Sequence, residues 1–209
     1  MRTGILGGTF DPIHSGHLGA AQAAARCADL DRVIFVPSAE PPHRGAAVAP
    51  AEDRLVMCQL AVAGDPRFEV SDVEVRRGGR SYTVDTLREL EAAMPDDELY
   101  LILGWDAARM LRSWREPDKV AELARIVVVS RPGTAAPSAE DLAAAGLAGD
   151  RLLLCLTATP DVSGSALREA IARGETVAGK LPRPVEEYIA THRLYPDAAR
   201  RLDNRKVER

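Results

Sequence analysis

Residues 7–18, GGTFDPIHSGHL, constrain this chain more than any other stretch. Thr3, Gly4, Ile5 and Leu6 before them form a short apolar run that fits a buried strand, and the Ala-rich residues 19–28 after them fit a helix. The stretch is therefore a strand-to-helix turn. Glycine at the strand exit lets backbone approach a ligand with no Cβ in the way. Pro12 stiffens the turn and Asp11 can hydrogen-bond the local backbone. His14 and His17 fall at the start of the helix, where unpaired N–H groups and the helix dipole favour an anion. The turn reads as a phosphate site with two histidine donors.

The rest of the chain supplies what such a turn needs around it. Residues 32–36, RVIFV, give a second apolar strand, so strand, helix and strand follow in the order of a right-handed crossover onto a parallel sheet. Further strands are expected at 68–75 (FEVSDVEV), 98–103 (ELYLIL), 126–129 and 151–156 (RLLLCL). Helices are expected at 51–63, with Leu55, Val56, Leu60 and Val62 at helical spacing, from about 83 to 94, at 162–173 and at 184–195. A short surface helix is expected between 134 and 150. This alternation predicts an α/β, doubly wound, Rossmann-like and mainly parallel sheet with helices on both faces, in one domain over residues 1–195. The charged stretch 196–209 has no core face and reads as a frayed tail.

Ligands of open α/β sheets sit at the carboxyl ends of the strands. That rule selects several polar residues. His43 and Arg44 lie in the long proline-rich loop 38–50 after the second strand, as solvated side chains or as phosphate donors. Gly104 and Asp106 follow the strand at 98–103, Asp106 either capping the next helix or holding a sugar hydroxyl. Thr83 and Asp85 open a helix, as caps or beside an anion at its N-terminus. Trp114, flanked by Arg112, Ser113, Arg115 and Glu116, either pins two helices or stacks on a planar ring. Residues 162–168, VSGSALR, open a helix with Ser163 and Ser165 as caps and Arg168 a turn away, fit for the second half of a polyphosphate cradle.

Composition closes other routes. No run reaches the ~18 apolar residues of a membrane span, and the chain enters a strand without a signal-peptide pattern, so a soluble cytoplasmic protein is expected. A net charge of −4 offers no global attraction to nucleic acid. Lys119, Lys180 and Lys206 all lie outside any GxxxxGK[ST] loop, which excludes a Walker site and leaves phosphate to backbone amides, histidine, arginine and a metal ion. Cys27, Cys58 and Cys155 are far apart with no CxxC spacing, so they are expected as buried thiols rather than a disulfide framework or zinc site.

Seven segments recur together: GGTFDPIHSGHL at 7–18, PSAEPPHR at 37–44, GRSYTVDTL at 79–87, GWDAARMLRSW at 104–114, SRPG at 130–133, VSGSALR at 162–168 and VEEYIATHRLY at 185–195. The set resembles the nucleotidylyltransferase superfamily with its HxGH signature and, within it, the bacterial nicotinate-nucleotide adenylyltransferases. The resemblance implies that the phosphate of nicotinate mononucleotide attacks the α-phosphorus of ATP, releasing pyrophosphate. It implies that Gly8, Thr9 and Phe10 line the nucleotide through their backbone, and that His14 and His17 stabilise charge at the α-phosphate. Ser165 and Arg168 would hold the β- and γ-phosphates, Gly104 and Asp106 a ribose, and Thr83 and Trp114 the pyridine ring. Mg2+ would arrive on the ATP phosphates, with no protein cage of its own. The family pattern I-S-S-T-x-I-R is VSGSALR here, so Gly164 lacks one side-chain donor. A sister enzyme acting on nicotinamide mononucleotide or another phosphorylated acceptor is the rival reading, ahead of a non-catalytic nucleotide-binding module and of an aminoacyl-tRNA synthetase relative, which the length disfavours.

Overall fold

The structure is a computed structural model and describes residues 1–41, 47–129, 137–147, 149, 151–156 and 160–196. The elements run β1 (Arg2–Gly8), α1 (Ser15–Cys27), β2 (Arg32–Pro37), α2 (Ala51–Val62), β3 (Phe68–Val70), α3 (Val73–Arg77) and α4 (Thr83–Ala93). They continue with β4 (Glu98–Gly104), α5 (Trp105–Ala108), α6 (Pro117–Leu123), β5 (Arg125–Val129), α7 (Ala139–Ala144), β6 (Leu152–Cys155), α8 (Gly164–Ala172) and α9 (Arg183–Thr191). The six strands form one sheet in the order β3-β2-β1-β4-β5-β6, every pair parallel.

Alternation along the strands builds a core on each face of this sheet. Val33, Phe35, Tyr100, Ile102, Val127 and Val129 face one way, toward the alanines of α1 and toward Met57, Leu167, Val185 and Ile189. Ile5, Ile34, Val36, Leu99, Leu101, Leu103, Ile126 and Val128 face the other way, toward Val84, Leu87 and Leu90 of α4 and Val120 of α6. Strands buried on both faces need apolar residues at consecutive positions, which is why RVIFV and ELYLIL read as continuous hydrophobic runs.

The strand order reverses between β1 and β4. Residues Arg2–Ile5 of β1 pair with Glu98–Leu101 of β4, and the pairing stops there. On its other side β1 stays paired with β2 through Gly8. Leu6–Gly8 and Ile102–Gly104 therefore leave one another at their carboxyl ends, opening the crevice that doubly wound sheets use for ligands.

At the opposite end of the same strands, Asp97 accepts from the Thr3 hydroxyl at 2.6 Å and from the Arg32 guanidinium at 2.8 Å. One carboxylate thus joins the starts of β1, β2 and β4. The Thr3 hydroxyl, followed by Arg32, holds the Asp97 pKa down at about 2.

Three expectations change. The strand expected over 68–75 stops at Val70; Ser71 N still reaches Phe35 O, and from Asp72 the chain coils into α3 with Arg76 N on Asp72 O. As an edge strand β3 has only β2 to pair with, so the alternation of Val73 and Val75 is spent on a helix. The buried face of α2 is Arg54, Met57, Cys58 and Val62; of the expected stripe Val62 is buried and Leu60 packs partly buried against the core, while Leu55 and Val56 are not part of that face. Cys27 and Cys155 are disulfide-bonded across 128 residues, while Cys58 is a buried thiol whose pKa burial pushes up. Spacing gave no sign of that bond because the sheet, not the sequence, brings the end of α1 against the end of β6.

Two measurements check these contacts. Because the folded pKa of Asp97 is depressed, its contribution is complete above the ordinary value of 3.8 and is lost as pH falls toward 2. Urea unfolding of Asp97→Asn should show lower stability at neutral pH and a shallower acid slope than the parent over that window; parallel slopes would refute the assignment. Thiol titration in denaturant without reductant should find one reactive thiol, Cys58, rather than three.

Candidate active site

The turn after β1 is anchored by Phe10. Its ring is 1 % exposed, packs edge-on against His17 at 4.9 Å and tilts against Phe35 at 5.9 Å. Its φ of +48° is a left-handed value that costs a non-glycine residue roughly 1 kcal/mol. Burial of the phenyl ring holds it there, and the backbone of Gly7, Gly8 and Thr9 is left at the mouth of the crevice.

His14 occupies the N-cap of α1 and is buried; its amide donates to His17 Nδ1 at 3.3 Å, and the two rings stack at 3.7 Å. An Nδ1 that accepts a hydrogen bond carries no proton, so neutral His17 is protonated on Nε2. Gly16 has a steric reason to be glycine: a Cβ there would lie 3.0 Å from His14 Nδ1 and 3.0 Å from Pro160 O. The HxGH spacing is thus a packed unit of two rings at a helix N-terminus.

The second phosphate segment docks on the first. Arg168 Nη1 donates to Asp11 O at 2.7 Å, and the same nitrogen is 3.8 Å from Asp11 Oδ2. Ser163 is the N-cap residue of α8, but its hydroxyl bonds Ser165 Oγ at 2.9 Å instead of capping the helix. A Cβ at Gly164 would meet Asp11 O at an ordinary 3.4 Å, so glycine is not required at that position. Ser165 and Arg168 line a cleft of about 230 Å³ with Val48, Glu169, Ala172 and Tyr195.

Asp11 lies in the turn, but its carboxylate reaches beyond the local backbone. Its carboxylate accepts from Val48 N at 2.7 Å, Ala49 N at 3.1 Å and the Tyr195 hydroxyl at 2.8 Å. Beside it, Arg54 is 1 % exposed and donates to Thr9 O at 2.7 Å, Ala39 O at 3.0 Å and Ala49 O at 3.1 Å. Burial pushes the Arg54 pKa down, and the charge of Asp11 opposes that shift.

The far wall of the crevice comes from the loops after β2 and before α4. Ser38 N bonds Gly8 O, Ser81 N bonds Glu40 O, and Ser81 Oγ accepts from Ala39 N at 2.9 Å. Burial raises the pKa of Glu74, countered by the hydroxyls of Thr86 and Ser81, and the Thr86 hydroxyl donates to Glu74 at 2.6 Å, joining α4 to α3. Thr83 is the first residue of α4 and makes no cap bond; Tyr82 holds the N-cap position. Arg115 lies 4.9 Å over the Tyr82 ring and 3.3 Å from Asp85, and Arg88 reaches Glu116 at 2.6 Å. These contacts bring the segment around half-buried Trp114 to the N-terminus of α4, where Thr83 stands. Across the crevice, Gly104 ends β4 and Asp106 lies in the first turn of α5, its side chain 68 % exposed and 3.9 Å from Arg109. His43 and Arg44 lie outside the described residues, as do residues 130–133.

Arg54, Ser81 and Tyr195 were not among the expected site residues. The signal for Arg54 was its place in the helical stripe 54, 57, 58 and 62, where a charge is out of pattern. Ser81 and Tyr195 fall within the segments at 79–87 and 185–195, but their roles were not legible there because each acts through a partner far away in sequence.

Arg54→Met keeps the volume but orphans three carbonyls, so urea unfolding should show a loss of about 3 kcal/mol. A loss of under about 1 kcal/mol would mean that water replaces the guanidinium.

The Cytidylyltransferase-like family model matches residues 5–170. A protein of Thermus thermophilus named "Probable nicotinate-nucleotide adenylyltransferase" is 46% identical over 197 residues, covering 93% of this chain and 100% of the relative. One of the same name from Citrifermentans bemidjiense is 42% identical over 215 residues, covering 95% and 100%. The solved Plasmodium falciparum nicotinic acid mononucleotide adenylyltransferase complexed with NaAD superposes with a TM-score of 0.75 over 93% of this chain and 97% of that one. Its 17% identity makes that a likeness of fold. The crevice between β1 and β4, the paired histidines and these full-length matches lead to one conclusion: the chain belongs to the nicotinate-nucleotide adenylyltransferases of the Cytidylyltransferase-like family.

Proposed function

We propose that the protein transfers the adenylyl group of ATP to the phosphate of nicotinate mononucleotide, giving nicotinate adenine dinucleotide and pyrophosphate, and that it does so in the cytoplasm. The observation that carries this reading is the docking of Arg168 on the backbone of the histidine turn, which unites two phosphate-binding segments at the mouth of the crevice.

Phosphoryl chemistry of this kind needs no covalent nucleophile; alignment and charge neutralisation supply the acceleration. The acceptor phosphate attacks the α-phosphorus in line, the bond to the bridging oxygen breaks, and pyrophosphate leaves with the electron pair. The backbone of Gly8, Thr9 and Phe10 borders the nucleotide, with Gly104 and Asp106 on a ribose across the crevice. His14 and His17 face the α-phosphate at the start of α1. Arg168 and Ser165 take the β- and γ-phosphates. Thr83 at the N-terminus of α4 meets the nicotinate carboxylate and Trp114 stacks on its ring, with His43 and Arg44 as the further candidates for binding the acceptor. Magnesium would come with ATP, bound through its phosphates, and would neutralise charge there. Among the described residues there is no group of three His, Cys, Asp or Glu side chains that could hold an ion. Those residues also include no helix long and apolar enough to cross a membrane.

Pyrophosphate release with ATP and magnesium, measured with nicotinate mononucleotide, nicotinamide mononucleotide or no acceptor, tests the assignment. The acid should be preferred at least tenfold, about 1.4 kcal/mol; equal use would overturn the reading of the Thr83 and Trp114 subsite while keeping the chemistry. His17→Ala should lower kcat by about a hundredfold with KM for ATP nearly unchanged, as for a donor that acts on developing charge. Weaker ATP binding with turnover intact would remove that role.

A further inference from the structure

We propose that Tyr195 is a positioning residue for adenylyl transfer: its hydroxyl holds the Asp11 carboxylate and so sets the orientation of Arg168. This rests on the reading of Arg168 as the cation that faces the ATP phosphates.

Tyr195 is 4 % exposed, 184 residues from Asp11, and donates to Asp11 Oδ1 at 2.8 Å. Its φ of +61° is left-handed, a strain the chain carries in order to turn the ring inward after α9. The approach is braced twice: Leu194 N bonds Ile189 O at the end of α9, and Tyr188 Oη donates to Asp53 Oδ1 of α2 at 2.7 Å. Burial, with the charge of Asp11, pushes the Tyr195 pKa far up, so the phenol stays a donor throughout the working range.

The consequence is electrostatic. Val48 N engages Asp11 Oδ2, and Ala49 N with the Tyr195 phenol engages Oδ1, all of them neutral donors. Arg168 consequently grips the carbonyl of Asp11 at 2.7 Å and stands 3.8 Å from the carboxylate, a separation too long for a direct hydrogen bond. Its side chain is 28% exposed, and it lines the same cleft as Ser165. Without the phenol, Asp11 loses a donor and the closest cation available to replace it is Arg168. A direct ion pair would draw the guanidinium back from the phosphates.

The test is a double-mutant cycle with Tyr195→Phe and Arg168→Lys, read by kcat/KM for ATP in the pyrophosphate assay and by calorimetric affinity for MgATP. Tyr195→Phe should lower kcat/KM about tenfold and weaken MgATP severalfold in the parent, yet change both by less than twofold in the Arg168→Lys background. A purely structural tyrosine would lower the melting temperature and cost the same factor in both backgrounds, which overturns the proposal, as does an unchanged Tyr195→Phe enzyme. If Tyr195→Phe does not fold, Asp11→Asn, which keeps the carbonyl that Arg168 grips, must show the same dependence on Arg168. A parent that binds MgATP but releases no pyrophosphate overturns the transferase reading alone, since the calorimetric cycle still decides the role of Tyr195.

Discussion

A buried guanidinium holds the ligand edge of this fold together. Three stretches of irregular backbone, after β1, after β2 and before α2, converge on a space where no strand or helix can satisfy their carbonyls. Arg54 enters that space and donates to Thr9 O, Ala39 O and Ala49 O. Desolvating a cation is costly, and burial does push its pKa down. Three directed bonds offset the cost, because leaving one buried and two part-buried carbonyls unpaired would be worse. Asp11 supplies the compensating charge and is itself covered by backbone amides and a phenol. The mouth of the crevice is thus framed by a polar network that leaves the backbone of Gly7 and Gly8 accessible.

The parts of this arrangement that were legible in the sequence are those encoded locally. The apolar runs located five of the six strands to within a residue or two, and the alternation with helices implied the parallel, doubly wound order that the sheet adopts. GGTFDPIHSGHL and VSGSALR lie side by side as expected, joined by Arg168 and Asp11. Long-range pairings were not legible. Cys27 and Cys155 looked like independent thiols because nothing local distinguishes a half-cystine from a buried cysteine. Asp11 looked like a turn residue because its partners at 48, 49 and 195 cannot be read from its neighbours. The edge strand was overextended because alternation cannot say whether a pairing partner exists, and β2 is the sole partner of β3.

The same division separates stability from chemistry. The lower ends of β1, β2 and β4 are closed by Asp97, Thr3 and Arg32, and nothing there faces the crevice. The upper ends part after Ile5 and Leu101, where a paired ladder would have filled the site with backbone hydrogen bonds. A reaction that gains its rate from alignment needs such a gap with immobile walls. The packed cores on both faces of the sheet supply the immobility, and the topology supplies the gap.

Walls on two independent helices must still keep a fixed spacing. α1 carries the histidines and α8 carries Arg168, and they belong to segments about 150 residues apart. Their N-termini are joined by the Arg168 bond to Asp11 O. Behind them, the last residue of α1 is bonded through sulfur to the last residue of β6, the strand that leads toward α8. α1 is therefore tied to α8 near its start by a charge-assisted hydrogen bond and to β6 at its end by a covalent link. Between the two phosphate-binding segments it is the Arg168 side chain that reaches across. The groups that orient that side chain, Asp11 and the phenol above it, then control the last adjustable element of the phosphate site.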